Sequence, residues 1–168
     1  MAGGLSPWHK TVMNKILELD NLSEALETIH NQKKSVVLVG GVFDILHQGH
    51  ISFLRDAKNA GDLLFVFVES DENVKEKKGS NRPINSQKNR CLVLSSIDFV
   101  DQIIPLTGVT KDEDYDKLIV QIKPSVIALT QGDQNLERRK KQAKMIGANI
   151  LEIKRIDTPS TSDLTKNI

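Results

Sequence analysis

Two histidines three residues apart, His47 and His50, flank Gly49 in the string His47-Gln48-Gly49-His50. An imidazole can donate to a phosphoryl oxygen, ligate a metal, or exchange a proton near neutral pH. A zinc pair needs further Cys, His or carboxylate ligands, and none stands at an obvious spacing here; Gly49 also interrupts a regular ligand helix. What surrounds the pair favours phosphate. Before it lies an apolar, β-branched run, Val36-Val37-Leu38-Val39, then Gly40 and Gly41. After it, apolar residues at 51, 53, 54, 57 and 60 fit a helix that ends at Gly61. Strand, glycine turn, short loop and helix place backbone N–H groups and the positive end of a helix at one spot, a setting suited to an anion.

The ten residues Gly41-Val42-Phe43-Asp44-Ile45-Leu46-His47-Gln48-Gly49-His50 resemble the G-x-F-D-x-x-H-x-G-H signature of the cytidylyltransferase-like nucleotidyltransferases. The branch most similar is the adenylyltransferase domain of bacterial heptose 1-phosphate enzymes. The resemblance runs from Val36 to the C-terminus. It implies transfer of a nucleotidyl group from a nucleoside triphosphate, ATP before CTP, to a small phosphorylated acceptor such as heptose 1-phosphate, with release of pyrophosphate. It gives both imidazoles to the nucleotide phosphates, and Gly40, Gly41, Val42, Phe43 and Gly49 to the nucleotide's cradle. Asp44 is read as holding the loop. Mg²⁺ is expected on the triphosphate's own oxygens, with no protein metal ligand. The family is commonly dimeric, so a homodimer is expected.

Other stretches extend this reading. Residues 75–85 form a charged segment that alone reads as a solvated loop. It is similar to the family's K-G-x-x-R-P-V-N segment, which implies catalytic roles for Lys77 and, further on, Arg90, with Lys78, Arg82 and the strand-end Asp71 at the acceptor. Ser160-Thr161-Ser162 resembles the family's terminal hydroxyl string, a second phosphate corner; taken alone it is an ordinary helix cap. Thr130-Gln131-Gly132-Asp133 stands where the heptose branch usually has Lys-Gly-Gly-Asp, and Gly132 and Asp133 are assigned to the nucleotide. The run from Lys123 to Leu129 is similar instead to archaeal-type FAD synthetases, and glycerol 3-phosphate cytidylyltransferases share the first motif. Both remain alternatives, as does a nucleotide sensor without turnover. The quartet Arg138-Arg139-Lys140-Lys141 reads as a solvated helix face, since no aromatic platform for unpaired bases accompanies it.

The elements that must position these groups alternate along the chain. Strands are expected at 36–39, 63–68, 100–104, 126–129 and 149–153, and helices at 50–60, 87–96, 114–122 and 136–145, with a last helix after Ser160. This βα alternation predicts an α/β fold, a doubly wound five-stranded parallel sheet of Rossmann-like type. Its ligand would sit outside the carboxyl ends of the strands, where strand order reverses. Residues 1–34 are read as an N-terminal helical arm, with helices at 10–19 and 22–31, Asn21 as N-cap and Glu24 as its capping-box partner. Residues 35–168 make the nucleotidyltransferase domain, and residues 1–7 are expected to be loosely held.

Composition sets the bounds. A length of 168 residues suffices for one cored domain. A net charge of +1 gives no case for nucleic acid or acidic membranes. The single cysteine, Cys91, excludes an internal disulfide and reads as a small buried hydrophobe. No apolar stretch is long enough to cross a bilayer, and no secretory layout opens the chain, so a cytoplasmic location is expected.

Overall fold

The computed structural model describes residues 14–156. Five parallel strands form one sheet: β1 Val36–Gly41, β2 Leu63–Val68, β3 Gln102–Pro105, β4 Val126–Thr130 and β5 Asn149–Ile153, in the order β3-β2-β1-β4-β5. Helices α1 Leu22–Asn31, α2 Gln48–Lys58, α3 Asp71–Lys78, α4 Gln87–Ser95, α5 Asp112–Ile122 and α6 Leu136–Ile146 surround it. The order reverses between β1 and β4, so the doubly wound sheet expected from the sequence is the one found, with its switch point at the end of β1.

Side chains alternate along each strand and sort into two cores. Leu38, Phe65 and Phe67 face α1, α5 and α6 through Leu22, Leu26, Ile119 and Ala143. Val37, Val39, Val66 and Val68 face α2 and α4 through Leu54, Ala57, Cys91 and Leu94. The run LLFVFV of β2 is apolar throughout because both its faces are covered. Cys91 is buried, and burial pushes its thiol up to about 12, which leaves it a packing group.

Three local expectations are corrected. The helix at 10–19 does not extend through its described portion, because Ile16 pairs with Ile103 as an added parallel bridge and a short 3₁₀ turn occupies Leu19–Asn21. That turn leaves Asn21 at φ −101°, ψ 1°, with no side-chain cap, so the capping box does not form. Residues 71–78, the first part of the supposed charged loop included, are helix α3: the Ser70 hydroxyl accepts from Asn73 N, acidic residues fill the first turn and lysines the last. Residues 1–13, and the helix expected after Ser160, lie outside the described residues.

Candidate active site

β1 ends in Gly40 and Gly41, and each glycine fits a different need. A Cβ on Gly41 would lie 2.8 Å from Cε2 of Phe43, whose own backbone sits at φ +49°. That left-handed turn is uncommon for a bulky residue and folds the ring back beneath the loop. A Cβ on Gly40 would meet only ordinary contacts, the guanidinium of Arg139 at 3.6 Å among them. Its absence leaves the floor of a cleft open.

The loop beyond is pinned by Asp44, which is buried and accepts from Arg82 Nε (2.8 Å), Ile84 N (2.9 Å) and Asn85 N (2.8 Å). His47 then caps α2. Its Nδ1 accepts from Gly49 N at 3.1 Å, which assigns the neutral ring's proton to Nε2 and leaves that N–H as a donor. His50, in the first turn of α2, stacks beside it with ring centroids 4.0 Å apart, and Phe43 packs edge-on to His50 at 5.4 Å. Burial, then the neighbouring His47 and Lys78, hold His50 down to about 4, against a weaker opposing hydrogen bond that the ring donates to the Ile45 backbone. Burial and Arg155 lower His47 as well. Both rings are therefore neutral in the free protein at pH 7, with the Nε2–H of His47 a free donor.

A cleft of about 960 Å³ opens over these groups at the carboxyl ends of β1, β2 and β4. The structure brings together in it His47, His50, Gly40, Gly41, Val42, Phe43, Gly49, Lys77, Lys78, Gly132 and Asp133. Gly132, at φ +78°, turns the chain, and the Asp133 carboxylate accepts from Asn135 N at 2.7 Å at the start of α6.

Three assigned residues are placed elsewhere. Arg90 is fully buried and donates to the carbonyls of Asn85, Val42 and Glu69 and to the carboxylate of Asp71. Four of its N–H donors are spent on the frame, where it ties the β1 loop to the end of β2, and it does not line the cleft. Asp71 accepts from this arginine and from Gln87 N, and does not line the cleft. Arg82 is bound to Asp44 and likewise stands outside the lining. Ser160, Thr161 and Ser162 lie outside the described residues.

The cleft also holds groups the sequence reading passed over. Arg139, taken there as part of a solvated face, turns inward and is held by Gln142 Oε1 at 2.8 Å. Glu69, Lys154 and Arg155 line the same space. The signal available for Arg139 was its helix phase: it lies four residues before the buried Ala143, and so shares its face.

Comparison with known proteins bears on this geometry. The model of the cytidylyltransferase-like family matches residues 38–163. The chain belongs to that family. It is 33% identical over 164 residues, 97% of its length, to the bifunctional protein HldE of Aliarcobacter butzleri, and 44% identical over 113 residues to that of Helicobacter pylori. It spans only 33% and 23% of those two relatives. Among solved structures, a lipopolysaccharide core biosynthesis protein from Thermoplasma volcanium superposes with a TM-score of 0.62 at 32% identity, covering 74% of this chain and 99% of that one. A pantoate-beta-alanine ligase from Francisella tularensis, 18% identical with a TM-score of 0.61, shares the fold.

Proposed function

We propose that this chain is a nucleotidyltransferase that moves AMP from ATP to a sugar phosphate of the heptose 1-phosphate kind and releases pyrophosphate. The observation that carries the reading is the His47–His50 pair: two neutral imidazoles at the mouth of α2, opening into a cleft at the switch point that Lys77, Lys78, Arg139, Lys154 and Arg155 also line. Membership of the family and the likeness to HldE proteins support it.

The acceptor's phosphate oxygen attacks the α-phosphorus as the bond from that phosphorus to the β-bridging oxygen breaks. The acceptor is already anionic, so no general base is needed. The protein's work is to position the reactants and to stabilise charge on the α-phosphoryl oxygens and the leaving pyrophosphate. His47 Nε2–H and His50 meet those oxygens; Lys77 and Lys78, at the end of α3, neutralise the phosphates. The described residues hold no group of three or more His, Cys, Asp or Glu able to take a metal. The Mg²⁺ of this proposal rides on the triphosphate and offsets its charge. Ser160, Thr161 and Ser162 enter as a further hydroxyl corner for phosphate.

No helix among the described residues is long and apolar enough to cross a membrane. A cytoplasmic homodimer is the finer part of the proposal, supported by the family resemblance and the lone buried thiol; sedimentation of the pure protein tests the dimer. The experiment for the main reading is pyrophosphate release with ATP or CTP across heptose 1-phosphate, FMN and glycerol 3-phosphate. The reading expects ATP with heptose 1-phosphate to be fastest. Turnover with FMN or glycerol 3-phosphate instead would reassign the acceptor, and nucleotide binding with no release would make the chain a sensor.

A further inference from the structure

The cleft has two walls, and the reaction above leaves one of its charged groups, Glu69, without a role. Gly41, Phe43 and the histidines belong to the α2 side of the sheet. Glu69 follows Phe65 and Phe67 in alternation and so emerges on the opposite, α5 side. There its Oε2 accepts from the Tyr115 hydroxyl at 2.7 Å and from Asn73 Nδ2 at 3.1 Å. Tyr115 and Asn73 are both buried, and Asn73 is itself fixed to the Val109 carbonyl at 2.8 Å. The carboxylate is thus locked in orientation by two side chains from different helices, while Glu69 itself lines the cleft. Arg139 reaches in from α6 over the bare backbone of Gly40, near enough to Glu69 for the two charges to interact. A restrained carboxylate beside a guanidinium offers an acceptor and donors together, which is what a hydroxyl group needs.

We infer that Glu69, steadied by Tyr115 and Asn73 and faced by Arg139, is the residue that selects a polyhydroxylated acceptor by accepting hydrogen bonds from its hydroxyls. The inference rests on the nucleotidyltransferase reading. Its site lies on the β2–α3 flank, where Lys77 and Lys78 also stand, and that flank fits a molecule with one anionic end and a hydroxyl-bearing body. The β4 flank presents Thr130, Gln131 and Gln134, neutral polar groups suited to a base edge. A purine has neither the charge for the lysines nor hydroxyls for the carboxylate. The ribose of the nucleotide does carry a diol, and the test separates it from the acceptor.

Glu69→Gln keeps the size of the side chain and removes its charge. Initial rates of pyrophosphate release are measured for wild type and Glu69→Gln, varying heptose 1-phosphate at saturating Mg-ATP and then the reverse. The expected result is a rise in the acceptor KM of roughly 10- to 100-fold, as for loss of hydrogen bonds to a charged group, with the ATP KM unmoved. A rise in the ATP KM instead assigns the carboxylate to the ribose and overturns the inference; so does no change in either. Should Glu69→Gln melt well below wild type, Tyr115→Phe, which removes one restraint only, must raise the acceptor KM several-fold with the ATP KM constant, and an unmoved acceptor KM overturns the inference. Wild type that releases no pyrophosphate with any acceptor sinks the enzyme reading and this one with it. Wild-type turnover with unchanged variant constants sinks this one alone.

Discussion

Arg90→Met separates a structural arginine from a catalytic one. The side chain is fully inaccessible, and it ties three backbone carbonyls, those of Val42 (2.5 Å), Glu69 (2.7 Å) and Asn85 (3.0 Å), to the Asp71 carboxylate at 2.8 Å. Methionine fills most of the space and donates nothing. Each buried acceptor left without a donor costs about 1–3 kcal/mol. Asp71 is still 29% exposed, so water can serve its carboxylate. A net loss of about 3–5 kcal/mol follows, in line with removing one partner of a buried ion pair. With a urea dependence of about 2 kcal/mol per molar for a domain of this size, the unfolding midpoint falls by roughly 2 M. The assay is equilibrium urea unfolding followed by circular dichroism, run beside pyrophosphate release on the variant that remains folded. An Arg90→Met protein that unfolds with the wild-type midpoint yet loses turnover would refute the reasoning and return Arg90 to the reacting phosphates.

The remaining predictions concern the loop and the histidine pair. Gly41→Ala puts a methyl 2.8 Å from the Phe43 ring, itself packed edge-on to His50; nucleotide affinity should fall at least several-fold by calorimetry, and wild-type affinity would show the ring free to yield. His50 binds fewer protons folded than unfolded between about pH 6.5 and 4, so stability rises with pH across that window and is lost below it. Partial exposure discounts the size of this to roughly 1–2 kcal/mol, and His50→Asn should flatten the slope of urea midpoint against pH. A bound triphosphate favours the charged ring, so ATP binding near pH 5.5 should take up protons, seen as a buffer-dependent heat that His50→Asn diminishes.

The five strands and their parallel, doubly wound arrangement were legible because they rest on local signals, apolar runs of strand length with glycines at their ends, while most of the cleft was legible through the resemblance that the two histidines and the residues around them carry. What the sequence hid was settled by contacts distant along the chain. Residues 15–18 abandon a helical pattern because Ile16 finds Ile103, a partner that periodicity cannot show. Helix α3 is so charged that it reads as a loop, and only the Ser70 cap and the order of its acidic and basic turns mark it. Arg90 carries the right chemistry for a phosphate, yet lies opposite carbonyls that only folding brings together. Arg139 was hidden by its neighbours: Arg138 pairs with Asp112 and lies over the Tyr115 ring, Lys140 pairs with Glu137, and the quartet's composition masks the member that enters the cleft.

The claim on which the rest depends is that the histidine pair binds and stabilises the nucleotide's phosphates. The direct measurement is the rate of acceptor-dependent pyrophosphate release from Mg-ATP by His47→Ala and His50→Ala, each checked for a wild-type-like unfolding midpoint near pH 7.5. Loss of one preorganised donor to the developing charge predicts a fall of about 10²- to 10³-fold in kcat for each folded variant. Folded variants that turn over at the wild-type rate would contradict the account.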